Sequence, residues 1–325
     1  MPDVINLTTD SDLSPVMKEY YKGCLIDNAK PKLVHRQFGA KKPIPANNGK
    51  IILFRKYSPL PKATTPLTEG VTPDGRAMKV TDVPTEVKQY GDYIKTSDVF
   101  DKTAIDNNLV QTTKLLGSQS GRTLDSLTRD VLAGGTNVMY ADKVVGGVVT
   151  EVLSRSALTK DCKLTVDMVE KAVAHLKAMN AEPLEGGMYA AIIHPYVVGD
   201  LRRSPEWRNI NEYGRPEDIY KGELGEIGGA RFFDSTEAKI WKDGTCPAGL
   251  AVFSTLFIGE NAYGVTEIEG LGLQFIHKPL GAGNDPLNQR STNGWKASDA
   301  CPRLSDEFMV RVESVCDASS KVQAN

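Results

Sequence analysis

An α+β fold is predicted for this chain of 325 residues. Three observations predict it. Apolar residues recur at helical spacing over residues 106–132 and 165–179, and at alternate positions or in short β-branched runs elsewhere. Helical and extended stretches come in mixed order, without the regular alternation of a doubly wound parallel sheet. Two β-rich runs near the N-terminus are separated by a long polar, proline-rich segment too poor in large apolar residues to form a core of its own.

Composition sets the frame for these elements. A content of 40% hydrophobic and 25% charged residues is ordinary for globular proteins, so one or two domains with a sizeable core are expected. Lys plus Arg number 39 against 41 Asp plus Glu, a net charge of -2. That balance argues against a dedicated nucleic-acid binder, and Lys30, Lys32, His35 and Arg36 read as a local solvated patch. No apolar stretch approaches the roughly 20 residues of a membrane helix, so no membrane partner is expected. Residues 1–12 carry Asp3, Asp10 and Asp12 and no basic segment ahead of an apolar run; no secretory signal is expected, and folding is expected in the cytosol. Cys24, Cys162, Cys246, Cys301 and Cys316 are scattered and odd in number, which predicts free thiols.

Taken in chain order, residues 15–25 form a short amphipathic stretch, after which Pro31, Pro43 and Pro45 punctuate a polar path. Residues 1–48 thus read as an arm. A strand is predicted over residues 50–57, and a second run over 80–96 places Thr81, Val83, Thr85 and Val87 at alternate positions. Between them lie Pro59, Pro61, Pro66, Gly70, Pro73 and Gly75, so the hairpin projects from the body. Pro84 cannot donate to a neighbouring strand and places the second run at an edge. The helix over 106–132 carries Leu109, Leu116, Leu124, Leu127 and Val131 on one stripe, with Asp106 as N-cap and Gly134 and Gly135 as its stop. Its middle, Gly117, Ser118, Ser120 and Gly121, is small enough for a bend or a close crossing.

A glycine-rich passage at Gly146 and Gly147 precedes a second amphipathic helix over 165–179, through Val166, Val169, Val173 and Leu176. Short β-rich runs follow over 188–194, 230–241, 250–258 and 271–278. A compact α+β unit is therefore expected over about 165–279. In the tail, Phe308, Val310 and Val312 alternate with Met309, Arg311 and Glu313, a last strand. The chain has no internal repeat.

No constellation of residues assembles chemistry. Gly117-Ser118-Gln119-Ser120-Gly121 imitates the serine-hydrolase elbow, but Gln119 stands where the nucleophile belongs and the motif lies inside a helix. His35, His175, His194 and His277 have no metal-ligand spacing. The glycines of 222–229 and 281–283 lack the Lys and Ser or Thr of a phosphate loop. Asp285, with Asn284 and Asn288, has no calcium-loop spacing. No catalytic residue, metal or cofactor is expected.

Longer segments carry more information. Tyr57-Ser58-Pro59-Leu60-Pro61-Lys62-Ala63-Thr64-Thr65-Pro66-Leu67-Thr68-Glu69-Gly70-Val71-Thr72-Pro73 and Gln89-Tyr90-Gly91-Asp92-Tyr93 closely resemble the major capsid proteins of tailed bacteriophages grouped with that of phage N-four. So do Arg129-Asp130-Val131-Leu132-Ala133-Gly134-Gly135-Thr136-Asn137, Ile193-His194-Pro195 and Pro205-Glu206-Trp207. The run from Asp285-Pro286-Leu287-Asn288 through Gln289-Arg290-Ser291-Thr292, with Gly294-Trp295-Lys296, extends the resemblance over nearly the whole chain.

The resemblance implies the Hong Kong 97-type coat fold. It implies an N-terminal arm over 1–48, an extended loop over 49–96, a peripheral domain with a spine helix over 97–164, an axial domain over 165–284, and a return to the peripheral domain over 285–325. The implied function is that of a major capsid protein, assembling as pentamers and hexamers into an icosahedral shell around double-stranded DNA in the virion. Because the arm begins almost at Met1, a separate scaffolding protein is expected, along with a portal and a decoration protein. Encapsulin-type nanocompartment shells share the fold and are the alternative. Ile51, Leu53, Phe54 and Val87 are the expected contacts between subunits.

Overall fold

The computed structural model describes residues 15–29, 32–45, 49–57, 60–67, 69–70, 72, 74–103, 108–184, 186–204, 207, 223–282 and 285–325. Among the residues singled out above, Asp3, Asp10, Asp12, Lys30, Pro31, Pro59, Pro73, Asp106, Pro205, Glu206, Gly222 and Asn284 lie outside these. In chain order the elements are α1 (Pro15–Ala29), β1 (Ala40–Lys41), β2 (Ile51–Tyr57), β3 (Val80–Glu86), β4 (Lys88–Ser97), α2 (Asp98–Thr103), α3 (Asn108–Ala133), β5 (Val138–Tyr140), β6 (Lys143–Val145) and β7 (Val148–Thr150). They continue with α4 (Val166–Ala178), β8 (Tyr189–Ile193), α5 (Pro195–Leu201), β9 (Glu223–Ile227), β10 (Ala230–Asp234), β11 (Ile240–Trp241), β12 (Val252–Ile258), β13 (Gly264–Val265), β14 (Gln274–Lys278), β15 (Arg290–Asp299) and β16 (Met309–Ser314). This is the mixed α+β order expected.

The larger core forms around a seven-stranded sheet in the order β5-β16-β12-β8-β10-β9, with β11 paired to β12. Strands β8, β12 and β16 are buried along their whole length, so both sheet faces are covered. Their alternation sends Tyr189, Ala191, Ile193, Phe257 and Val312 toward α4. It sends Ala190, Ile192, Leu256 and Met309 to the opposite face, toward Leu132 at the end of α3. Thr165 caps α4 by accepting a hydrogen bond from the Met168 amide at 3.3 Å. Val166, Val169, Val173 and Leu176 are buried, as the helical spacing requires, each contributing roughly 1.5–3 kcal/mol.

The unit expected over 165–279 does not close on itself. β5 and β16, from outside that range, pair into its sheet, and β14, from inside it, pairs elsewhere. Residues 230–241 hold two strands rather than one, because the chain turns after Asp234 and the Ala238 amide bonds back to the Ser235 carbonyl.

A three-stranded antiparallel sheet, β14-β15-β4, packs against α3. Its central strand β15 is small and polar, without the β-branched pattern that marks strands in sequence. Packing defines it instead: Trp295 Nε1 donates to Gln119 Oε1 at 3.2 Å, and Asn293 Nδ2 to Thr112 Oγ1 at 3.1 Å. The run over 80–96 proves to be two strands, β3 paired with β2 and β4 paired with β15. They part at Val87, which is buried and whose amide donates to the Lys50 carbonyl at 2.9 Å.

Helix α3 has 26 residues and spans about 39 Å at ~1.5 Å per residue. Leu116, Leu124 and Leu132 are buried along it, whereas Val131, expected on the inner stripe, is turned outward. Gly117 and Gly121 make the close crossing the sequence predicts: a Cβ there would lie 2.7 Å from the Leu25 carbonyl oxygen and 2.5 Å from that of Ala29. The helix α1 thus runs parallel to α3 at backbone contact, with Leu25 and Ala29 buried. Within the stretch read as an arm, α1 thus packs one face, Tyr21, Leu25 and Ala29, against the body and leaves Tyr20 exposed.

Candidate assembly surfaces

Several of the residues weighed for chemistry are engaged within the chain. His194 is the N-cap of α5, its Nδ1 accepting from the Tyr196 amide at 3.2 Å. Burial pushes its pKa down to about 4, so it is neutral at pH 7, which suits an acceptor. His35 Nδ1 lies 2.6 Å from Asp125 Oδ2 with both side chains buried, and His277 Nδ1 lies 2.6 Å from Asn293 Oδ1. Gln119, at the centre of the elbow-like motif, donates from Nε2 to Asp92 Oδ2 at 2.5 Å. Asp285 Oδ2 accepts from the Arg290 amide at 2.8 Å. Among the described residues no group of three or more His, Cys, Asp or Glu is placed to hold a metal ion, and no helix is long and apolar enough to cross a membrane.

The surfaces offer more than the interior does. β2 pairs only with β3 among the described residues, in the register Ile51↔Glu86, Leu53↔Pro84, Arg55↔Asp82 and Tyr57↔Val80. Period two puts these four pairs on one face, where Ile51 is 58%, Leu53 47% and Tyr57 56% exposed. Leu60, Leu67 and Met78, in the connection beyond the strands, are exposed as well. Lys50–Glu86 at 2.5 Å lies at one end of this face and Arg55–Asp82 at 3.8 Å interrupts it between Leu53 and Tyr57, both solvent-facing pairs of little stability value. Pro84 removes a donor from β3, and among the described residues no strand lies beyond it.

The four residues expected to touch a neighbour divide by face. Ile51 and Leu53 point outward. Phe54 points inward onto Gly264, where a Cβ would stand 2.7 Å from its ring, with Lys42 Nζ 5.8 Å from the ring centre. Val87 is buried at the hairpin base. Both are used within the subunit, and strict alternation along 51–54 was the signal that separates Phe54 from its neighbours.

Two further exposed apolar elements escaped the sequence reading. β6 and β7 pair with each other through Gly146 and Gly147, both at positive φ, and leave Val144, Val145, Val148 and Val149 exposed. The pattern of paired valines around two glycines was the available signal for this hairpin. On α2, Val99 and Phe100 are exposed beside the start of α3. Exposed apolar patches of this kind mark contact surfaces.

No protein-family model matches the chain, and no curated protein matches it. Solved structures do. The chain is similar to a chain of the capsid of Ralstonia phage GP4, with a TM-score of 0.67 at 15% identity over 86% of this chain and 87% of that one. It is similar to the acidic stable capsid of Helicobacter pylori bacteriophage KHP30, with a TM-score of 0.61 at 10% identity over 85% and 87%. The virus-like particle from Pyrococcus furiosus matches less well, with a TM-score of 0.51 at 10% identity over 91% and 99%. The fold is thus the Hong Kong 97-type coat fold that the sequence resemblance implies.

Proposed function

We propose that this chain is the major capsid protein of a tailed bacteriophage, a structural subunit without enzymatic activity. Copies assemble as pentamers and hexamers into an icosahedral shell that encloses double-stranded DNA without reading its sequence. The observation that carries this reading is the agreement in fold with phage capsid chains over 86% of the length, joined to a hairpin whose outer face exposes Ile51, Leu53 and Tyr57. A lone subunit leaves Ile51, Leu53 and Tyr57 in water; a neighbour lying beneath the hairpin would bury them. Contacts of this kind are heterologous, each patch meeting a different one, and close into rings only at a fixed curvature.

In this reading residues 1–48 form the arm, 49–96 the extended loop, 97–164 the peripheral domain with α3 as its spine, 165–284 the axial domain and 285–325 the return. Assembly takes place in the host cytoplasm with a separate scaffolding protein, a portal and a decoration protein, and the product resides in the virion. Negative-stain electron microscopy of the purified protein, with and without crowding agents, tests the proposal. Closed icosahedral particles are expected; a persistent monomer under every condition overturns it. The likeness to the Pyrococcus furiosus particle supports an encapsulin-type shell as the second reading. Particles from the native source that hold an enzyme cargo and no genome would establish that alternative.

A further inference from the structure

The segment joining α1 to the projecting hairpin is seated by polar contacts. The His35 amide donates to Asp125 Oδ1 at 2.7 Å, and His35 Nδ1 meets Asp125 Oδ2 at 2.6 Å. Tyr263 donates its hydroxyl proton to the His35 carbonyl at 2.5 Å. Arg36 Nη1 stands 3.0 Å from Asp299 Oδ1. Further along, the amides of Ala40, Lys42 and Ile44 donate to the carbonyls of Tyr263, Val265 and Glu267 at 2.9, 3.1 and 2.8 Å, a parallel strand added to the body's edge. Apolar contacts add to these: Phe38 meets Phe233 with ring centres 4.8 Å apart, Val34 packs against the same core and Ile44 is buried, while clefts of about 620 and 290 Å³ flank the segment.

The same short strand, β13, receives the hairpin. Gly264 pairs with Ala40 along its edge and accepts the Phe54 ring on its open face. Displacing the segment would remove Lys42 from the Phe54 ring and uncover the seat that ring rests on.

We propose that residues 32–45 are a latch: the buried His35–Asp125 and Arg36–Asp299 contacts hold them on the body, and their release frees the base of the β2–β3 hairpin in the same event. One sequence then has two hairpin orientations, seated and free. The use of this for subunits in non-equivalent positions rests on the capsid reading above; the coupling itself does not. A seat made of buried polar contacts is well suited to an all-or-none release, because a half-open latch leaves His35 and Asp125 desolvated and unpaired.

Hydrogen exchange on soluble subunits, before any assembly, tests the coupling. Asp125→Ala removes the partner of the His35 amide and of its Nδ1. Exchange at the Ala40, Lys42 and Ile44 amides and at the hairpin-base amide of Val87 is expected to accelerate by one common factor, at least tenfold, with β8 and β12 unchanged. Acceleration confined to the segment, acceleration spread equally to β8 and β12, or none at all overturns the proposal. If Asp125→Ala does not fold, Arg36→Gln, which leaves the His35 contacts in place, is read by the same criteria. Failure to form shells would remove the capsid reading and leave the latch; uncoupled exchange would do the reverse.

Discussion

Gly121 shows how far one residue constrains this chain. Alanine there gains about 1 kcal/mol of helix propensity, but its Cβ would meet the Ala29 carbonyl oxygen at 2.5 Å, and backbone on the facing helix cannot swing aside. Overpacking costs typically 1–3 kcal/mol, so Gly121→Ala is expected to lower stability by about 1 kcal/mol and Gly121→Leu by more, measured by urea denaturation. A stabilised Gly121→Ala would mean that α1 does not sit against α3 at backbone contact. Asp299 makes the residue-scale case for charge. Burial, opposed by Arg36 and reinforced by Glu267, pushes its carboxyl up to about 6, and the Cys301 thiol beside it is pushed up to about 12 by the same burial. The folded state therefore holds the Asp299 proton more tightly than the unfolded chain, whose carboxyl titrates near 3.9. That stabilisation, on the order of 3 kcal/mol, is complete below about pH 4 and lost as pH rises through 6. Every other titratable group is common to both proteins when the wild type is compared with Asp299→Asn, so their stability difference should shift against the wild type between pH 4.5 and 7.5. A pH-independent difference would remove Asp299 as its source.

Among the elements, the β2–β3 hairpin separates stability from assembly most cleanly. Leu53→Asp lies on the outward face and should change subunit stability by less than about 0.5 kcal/mol, whereas Phe54→Ala empties the seat on Gly264 and should cost about 3 kcal/mol. Particle yield by sedimentation should fall for Leu53→Asp despite the intact fold. Deletion of residues 60–79 should likewise leave a folded, soluble subunit that closes no shells, since it removes none of the contacts at Phe54 or Val87. Normal particles from both variants would show that the hairpin is no assembly element. Helix α3 and strand β15 make a contrasting pair in legibility. The leucine stripe and the glycines of α3 announce a helix and its close crossing because both are local patterns. β15 announces nothing, since Asn293, Gly294 and Ser298 become strand only by lying between β14 and β4.

At the scale of the whole molecule, weak individual contacts imply cooperative assembly: raising subunit concentration should take light scattering from monomer to closed particle with few intermediates, because each added copy gains several contacts at once. A continuous ladder of intermediate sizes would argue for open aggregation instead. Periodicity and turn chemistry, both local, carried the α+β class, the helix α4 and the pairing of residues 50–57 with the start of 80–96 from sequence to structure. The longer quoted segments, from residue 57 onward, carried the coat fold. Strand partners could not be read in this way. That β16 enters the sheet of β8 and β12, that residues 80–96 split between two sheets, and that Phe54 and Val87 face inward are decided by contacts between residues far apart in the chain. Burial and pairing of that kind depend on which surfaces meet, and only the tertiary structure brings them together.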